Sequence, residues 1–130
     1  MQHKHLIMIR IAGGICLFFM LFHLAFYKLF SWDTSLNSLT LNNRSILLTY
    51  HYISILITGF MGILPFTQGK MLLNSPLRYS ILSFFSIFFL IRIITEFTNF
   101  GFNLPQSPII LVLCVIPMIL FSIPIFSKNK

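Results

Sequence analysis

The chain has 130 residues, of which 57% are hydrophobic and only 8% charged. A typical soluble domain is about 25% charged, so this composition lacks the polar surface that a globule needs in water, and membrane lipid is the solvent that fits. The formal charge of +7 excludes less than it suggests. The nine Lys and Arg are scattered along the chain and no nucleic-acid motif accompanies them, so no nucleic acid is expected as a partner.

A bilayer core takes about 20 apolar residues per helix. Four stretches reach that length, at residues 6–30, 45–66, 77–100 and 108–126. The expected fold class is all-α: an integral membrane bundle of four antiparallel transmembrane helices in a single domain over residues 1–130, with short connections between neighbours. The first stretch opens on a basic start of His3, Lys4, His5 and Arg10, as a signal peptide would. Its apolar run exceeds the roughly 7–15 residues of a signal h-region and no small-residue cleavage site follows, so it is expected to stay as a span. In the connection 31–43, Trp32 suits the headgroup layer, and Asn42 or Asn43 suits the cap of the second helix. Gly69, Asn74, Ser75 and Pro76 mark the next turn. Ser107 before Pro108 reads as an N-cap followed by proline at the first helical position. Pro117 is expected to kink the fourth helix and Pro124 to fray its end.

Basic residues set orientation in the bilayer. With four spans, Lys4, Arg10, Lys70, Arg78, Lys128 and Lys130 fall on one side and Lys28 and Arg44 on the other. Both termini are therefore expected in the cytoplasm. Cys16 and Cys114 lie inside apolar runs and read as small apolar fillers rather than a disulfide.

Four ionisable side chains fall within the spans: His23, His51, Arg92 and Glu96. Such residues are costly in lipid and are functional candidates by default. Counting at about 1.5 Å per residue puts all four in the outer half of the bundle. Helical spacing places Ala12, Cys16, Phe19 and His23 on one face of the first helix, with the two small residues allowing close approach. His51, Ser54, Thr58 and Gly62 form a stripe on the second helix, and Arg92, Glu96 and Asn99 one on the third. Arg92 and Glu96, four apart, are spaced to pair; the pair serves structure, or Arg92 binds an anionic group, or Glu96 handles protons. His23 and His51 on adjacent helices have the ligand number for one haem b iron but not for tetrahedral zinc. A hydrogen-bonded structural role is the simpler alternative. There is no CxxC, HExxH, GxSxG or phosphate loop, so no catalytic residue is assigned.

The segment from His23 through Tyr27, Lys28 and Phe30 to Trp32, the later Leu36, Leu39 and Asn43-Arg44, and Arg92 with Glu96 together resemble a group of small bacterial four-helix membrane proteins of unknown function. The resemblance covers roughly the first three spans. It implies the bacterial cytoplasmic membrane and one outward-facing constellation of His23, Trp32, Asn43, Arg44, Arg92 and Glu96. The Phe, Ile, Asn and Lys bias agrees with an AT-rich bacterial genome. Three functions compete. The first is a non-enzymatic accessory subunit of a larger membrane complex, or a binder of a lipid or small hydrophobic ligand. The second is a redox component holding haem or quinone through His23 and His51. The third is a transporter or proton conductor, which at this size needs a homo-oligomer.

Overall fold

The computed structural model describes residues 2–127; Lys128 and Lys130, counted above with the inner basic residues, lie outside them. The elements are α1 (Gln2–Leu24), α2 (Phe26–Leu29), α3 (Trp32–Ser35), a 3-10 turn (Leu36–Ser38), α4 (Leu41–Thr67), α5 (Gly69–Asn74), α6 (Arg78–Thr98) and α7 (Gln106–Phe126). Among the described residues the fold is all-helical, with no strand. Helices α1, α4, α6 and α7 are each long and apolar enough to cross a membrane. Helix α1 packs on α4, α5 and α7, and α6 packs on α7, whereas α4 and α6 share no extended interface.

The α1–α4 seam is tight because two glycines meet there. A Cβ on Gly62 would stand 2.6 Å from the Leu17 side chain and 3.1 Å from the Gly13 carbonyl oxygen. One on Gly13 would stand 2.9 Å from the Gly62 oxygen. Close backbone approach of this kind maximises dispersion contact between the two helices. Ala12 and Cys16 are fully buried, but the closest approach falls one residue along, at Gly13. The core continues through Ile9, Phe19, Met61, Leu82, Phe85, Phe89 and Phe121. Cys16 and Cys114 are buried and unbridged.

Helix α7 is joined to α6 by serines. Ser122 Oγ donates to Ser86 Oγ at 3.0 Å, and Ser86 Oγ donates to the α6 carbonyl of Leu82 at 2.9 Å and the α7 carbonyl of Met118 at 3.3 Å. At one end, Gln2 Nε2 donates to Asn74 Oδ1. There the buried Arg78 donates to the Leu73 carbonyl at 3.2 Å, to the Tyr79 hydroxyl at 2.6 Å and to the Ser127 carbonyl at 3.4 Å. The start of α1, the 69–78 segment and the end of α7 thus meet at one end of the bundle.

Several boundaries differ from the apolar pattern, each for a local reason. The first helix ends at Leu24, not at residue 30, because the Ala25 N–H is shared between the Leu21 and Phe22 carbonyls and the chain restarts as α2. Helix α4 starts at Leu41, capped by Thr40, whose side chain accepts from the Asn43 N–H at 3.4 Å; neither Asn42 nor Asn43 is the cap. Helix α7 begins at Gln106, with Pro105 at its N-cap, so Ser107 lies inside the first turn. The Ser107 hydroxyl is engaged elsewhere, as described below. Pro108 still sits in the first turn, where a missing N–H forfeits no helical bond. Helix α7 continues through both Pro117 and Pro124 to Phe126, and Pro65 is likewise carried inside α4.

Candidate functional site

At the bundle end away from Arg78, the break after Leu24 folds aromatic side chains back over α4. The turn into α3 passes through Ser31 at φ 49°, a left-handed conformation uncommon for a residue with a Cβ. It delivers Trp32 onto His51, with ring centroids 4.9 Å apart. Phe26 packs against both imidazoles, 4.5 Å from His23 and 5.3 Å from His51, nearly parallel to the latter. The His23 and His51 rings are 5.8 Å apart in edge-on geometry. His51 is buried, and His23 and Trp32 are half-buried. The histidines therefore sit together, in an aromatic cluster rather than a polar one. Buried His23 Nδ1 has no hydrogen-bond partner.

Arg92 and Glu96 form the ion pair that their spacing predicts: Arg92 Nη1 donates to Glu96 Oε2 at 2.7 Å. The other carboxylate oxygen, Oε1, accepts from the Ser107 hydroxyl. Ser107 Oγ in turn accepts the Asn103 N–H at 2.8 Å. Glu96 is 3% exposed and Arg92 30%, and the guanidinium lies over the Phe100 ring at 4.7 Å. Glu96 is thus clamped between an arginine of its own helix and a serine of α7. Charge-assisted bonds of this kind are about twice as strong as neutral ones.

Between these two groups is a partly open cavity of about 150 Å³. It is lined by Phe19, Phe22, His23 and Phe26 on one side, Ser54 and Thr58 of α4, Phe88, Phe89 and Arg92 of α6, and Ile110 and Cys114 of α7. Ser54 and Thr58 direct their hydroxyls to carbonyls of their own helix, at 2.8 Å and 2.7 Å. Helices α4 and α6, which share no extended interface, both contribute to its walls, and elsewhere Phe60 of α4 meets Phe85 of α6 at 6.1 Å.

The structure thus brings His23, Arg92, Ser54 and Thr58 to one cavity, with His51 and Trp32 stacked behind His23 and Phe26. Arg44 of the expected constellation and Asn99 of the third-helix stripe make their hydrogen bonds elsewhere. Arg44 donates to Asn37 Oδ1 at 3.0 Å and so braces the 3-10 turn. Asn99 is exposed and its Oδ1 accepts from Thr98 Oγ1 at 2.8 Å. Ser107 and Phe26 carry much of the local geometry and were not singled out for it by sequence. The signal for Ser107 was available: the connection between the third and fourth spans is short, so a serine opening the fourth lies level with Glu96. Among the described residues no group of three or more His, Cys, Asp or Glu is placed to hold a metal ion.

Comparison with protein-family models, curated proteins and solved structures finds no match, so the functional reading rests on geometry and chemistry.

Proposed function

We propose that this chain is an integral membrane protein of four antiparallel spans, with both termini in the cytoplasm of a bacterium. In this reading it binds a small hydrophobic ligand or lipid in the cavity between its helices and acts as a non-enzymatic binding or accessory protein. Its membrane character is supported by the large apolar side chains left facing outward on all four long helices, among them Ile11, Phe18, Leu56, Phe84, Ile87, Ile109 and Val112. Soluble monomers rarely expose contiguous apolar patches beyond a few hundred Å². The observation that carries the ligand reading is the cavity itself. Apolar and aromatic walls with a few convergent polar groups are the usual make-up of a small-molecule site. Here those groups are His23 and Arg92.

Haem fits the arrangement less well. A porphyrin plane would have to pass between the two imidazoles, and Phe26 already lies against both. The volume of about 150 Å³ is also below the ~300–1,000 Å³ of pockets for drug-sized ligands.

The test is stability linkage in detergent. A ligand that binds only the folded state raises stability by RT ln(1 + [L]/Kd). A total membrane-lipid extract is expected to raise the melting temperature of the parent protein. Ser54→Leu, which extends an apolar side chain into the cavity, is expected to lose that increment. An equal increment in both proteins would refute the cavity as the binding site.

A further inference from the structure

We propose that the cavity takes a single uncharged six-membered ring bearing an oxygen, the chemistry of a quinone or quinol head, and holds that oxygen on the His23 imidazole. The inference rests on the ligand-binding reading above and names the ligand class.

Three observations point to it. The first is size. A cavity of about 150 Å³ lined by apolar side chains is known to accept one benzene-sized ring, and this cavity measures about 150 Å³. Phe19, Phe22, Phe26, Phe88 and Phe89 all line it, and aromatic rings favour edge-on or offset contacts with another flat ring. A flexible acyl chain gains no such geometry from them.

The second is charge. Arg92 is the one charged lining residue, and Glu96 answers its charge at 2.7 Å. The site therefore offers no uncompensated cation to a carboxylate or phosphate, and an anion arriving beside Glu96 would be repelled. A neutral head meets neither penalty.

The third is His23, which lines the cavity and makes no hydrogen bond through Nδ1. His23 Nδ1 is buried with no partner, a state that ordinarily costs about 1–3 kcal/mol. A neutral imidazole has one donor and one acceptor nitrogen. In the cavity that His23 lines, the imidazole N–H donates to a quinone carbonyl and the unprotonated nitrogen accepts from a quinol hydroxyl. One residue thus serves both forms of the ring without any redox step by the protein.

Trp32 is the single tryptophan of the chain and meets Phe26 of the cavity wall edge-on at 5.6 Å, so its fluorescence reports binding through that ring. Purified protein in detergent is titrated with duroquinone, a ring without a tail, and Trp32 quenching is followed. The parent is expected to show saturable quenching. Durene, the same methylated ring without oxygens, is expected to displace it more weakly by on the order of tenfold, about what one hydrogen bond is worth. His23→Phe, which keeps the ring packing, is expected to weaken duroquinone by a similar factor. Ser54→Leu is expected to abolish saturation and, by filling space, serves as a folded control. Linear quenching equal in parent and Ser54→Leu would mean partition into the micelle and would overturn the inference. Equal affinity for durene and duroquinone, or no change in His23→Phe, would overturn the hydrogen bond. If oleate stabilises the parent but not Ser54→Leu while duroquinone does not bind, the ligand-binding reading survives and the ring assignment fails. If neither binds, both fail.

Discussion

Arg92→Leu tests how the candidate site is held together. In the parent, Glu96 is 3% exposed and accepts from Arg92 and Ser107. Removing the guanidinium leaves a buried carboxylate with one neutral donor. Breaking a buried pair from one side costs about 3–5 kcal/mol. Arg92 itself is 30% exposed and so already partly solvated, which puts the expectation at the lower end, about 3 kcal/mol. Loss of the 4.7 Å stack on Phe100 adds about 0.5–1 kcal/mol for a partly exposed contact. The double change Arg92→Leu with Glu96→Gln removes the uncompensated charge and keeps an amide oxygen for Ser107. It should recover most of the loss, to within about 1 kcal/mol of the parent. The assay is reversible unfolding in mixed micelles with increasing SDS, following helical circular dichroism, with the four proteins forming a double-mutant cycle. If Arg92→Leu unfolds with the parent's free energy, the pair contributes nothing and the clamp on Glu96 is incidental.

Other substitutions check the remaining parts of the architecture. Gly62→Ala puts a Cβ 2.6 Å from Leu17 and should destabilise by about 1–3 kcal/mol through overpacking; Gly14→Ala, with nothing within 4 Å of its Cβ, should be neutral or gain up to about 1 kcal/mol from helix propensity. Both can be read from the same SDS titration. Ser86→Ala removes the α6–α7 hydroxyl link and should cost about 0.6 kcal/mol, the average for such bonds between membrane helices; a loss above about 2 kcal/mol would mean the serines do more than join two helices. Ser107→Ala takes a donor from Glu96 and an acceptor from the Asn103 N–H, and should cost about 1.5–3 kcal/mol. For topology, an impermeant maleimide applied to intact cells should label a cysteine placed at Ser38 and not one placed at Asn74; labelling of both, or of Asn74 alone, would contradict the proposed orientation.

The long elements were legible because lipid-compatible helices need only length and apolarity, and both are linear properties of the chain. Their ends were less so, because ends are decided by side-chain hydrogen bonds. Thr40 rather than an asparagine caps α4, and Ser107 gives its hydroxyl to Glu96 instead of capping α7. Within the site, the Arg92–Glu96 pair follows from an interval of four, and the proximity of His23 and His51 from counting depth on two helices. The aromatic setting of those histidines could not be counted. It depends on the break at Ala25 and the left-handed Ser31, which turn Phe26 and Trp32 onto His51. Arg44 was grouped with the cluster because it opens the second span, but a nearer acceptor, Asn37, holds it in the turn.

The central claim is that the cavity between the four long helices holds a small hydrophobic molecule. Native mass spectrometry of the protein released from its own membranes tests it most directly. The account predicts one adduct per chain in the parent, of a mass identified by fragmentation, that disappears in Ser54→Leu. A parent that flies without adduct under conditions retaining ordinary lipids, or an adduct equally abundant in Ser54→Leu, would contradict it.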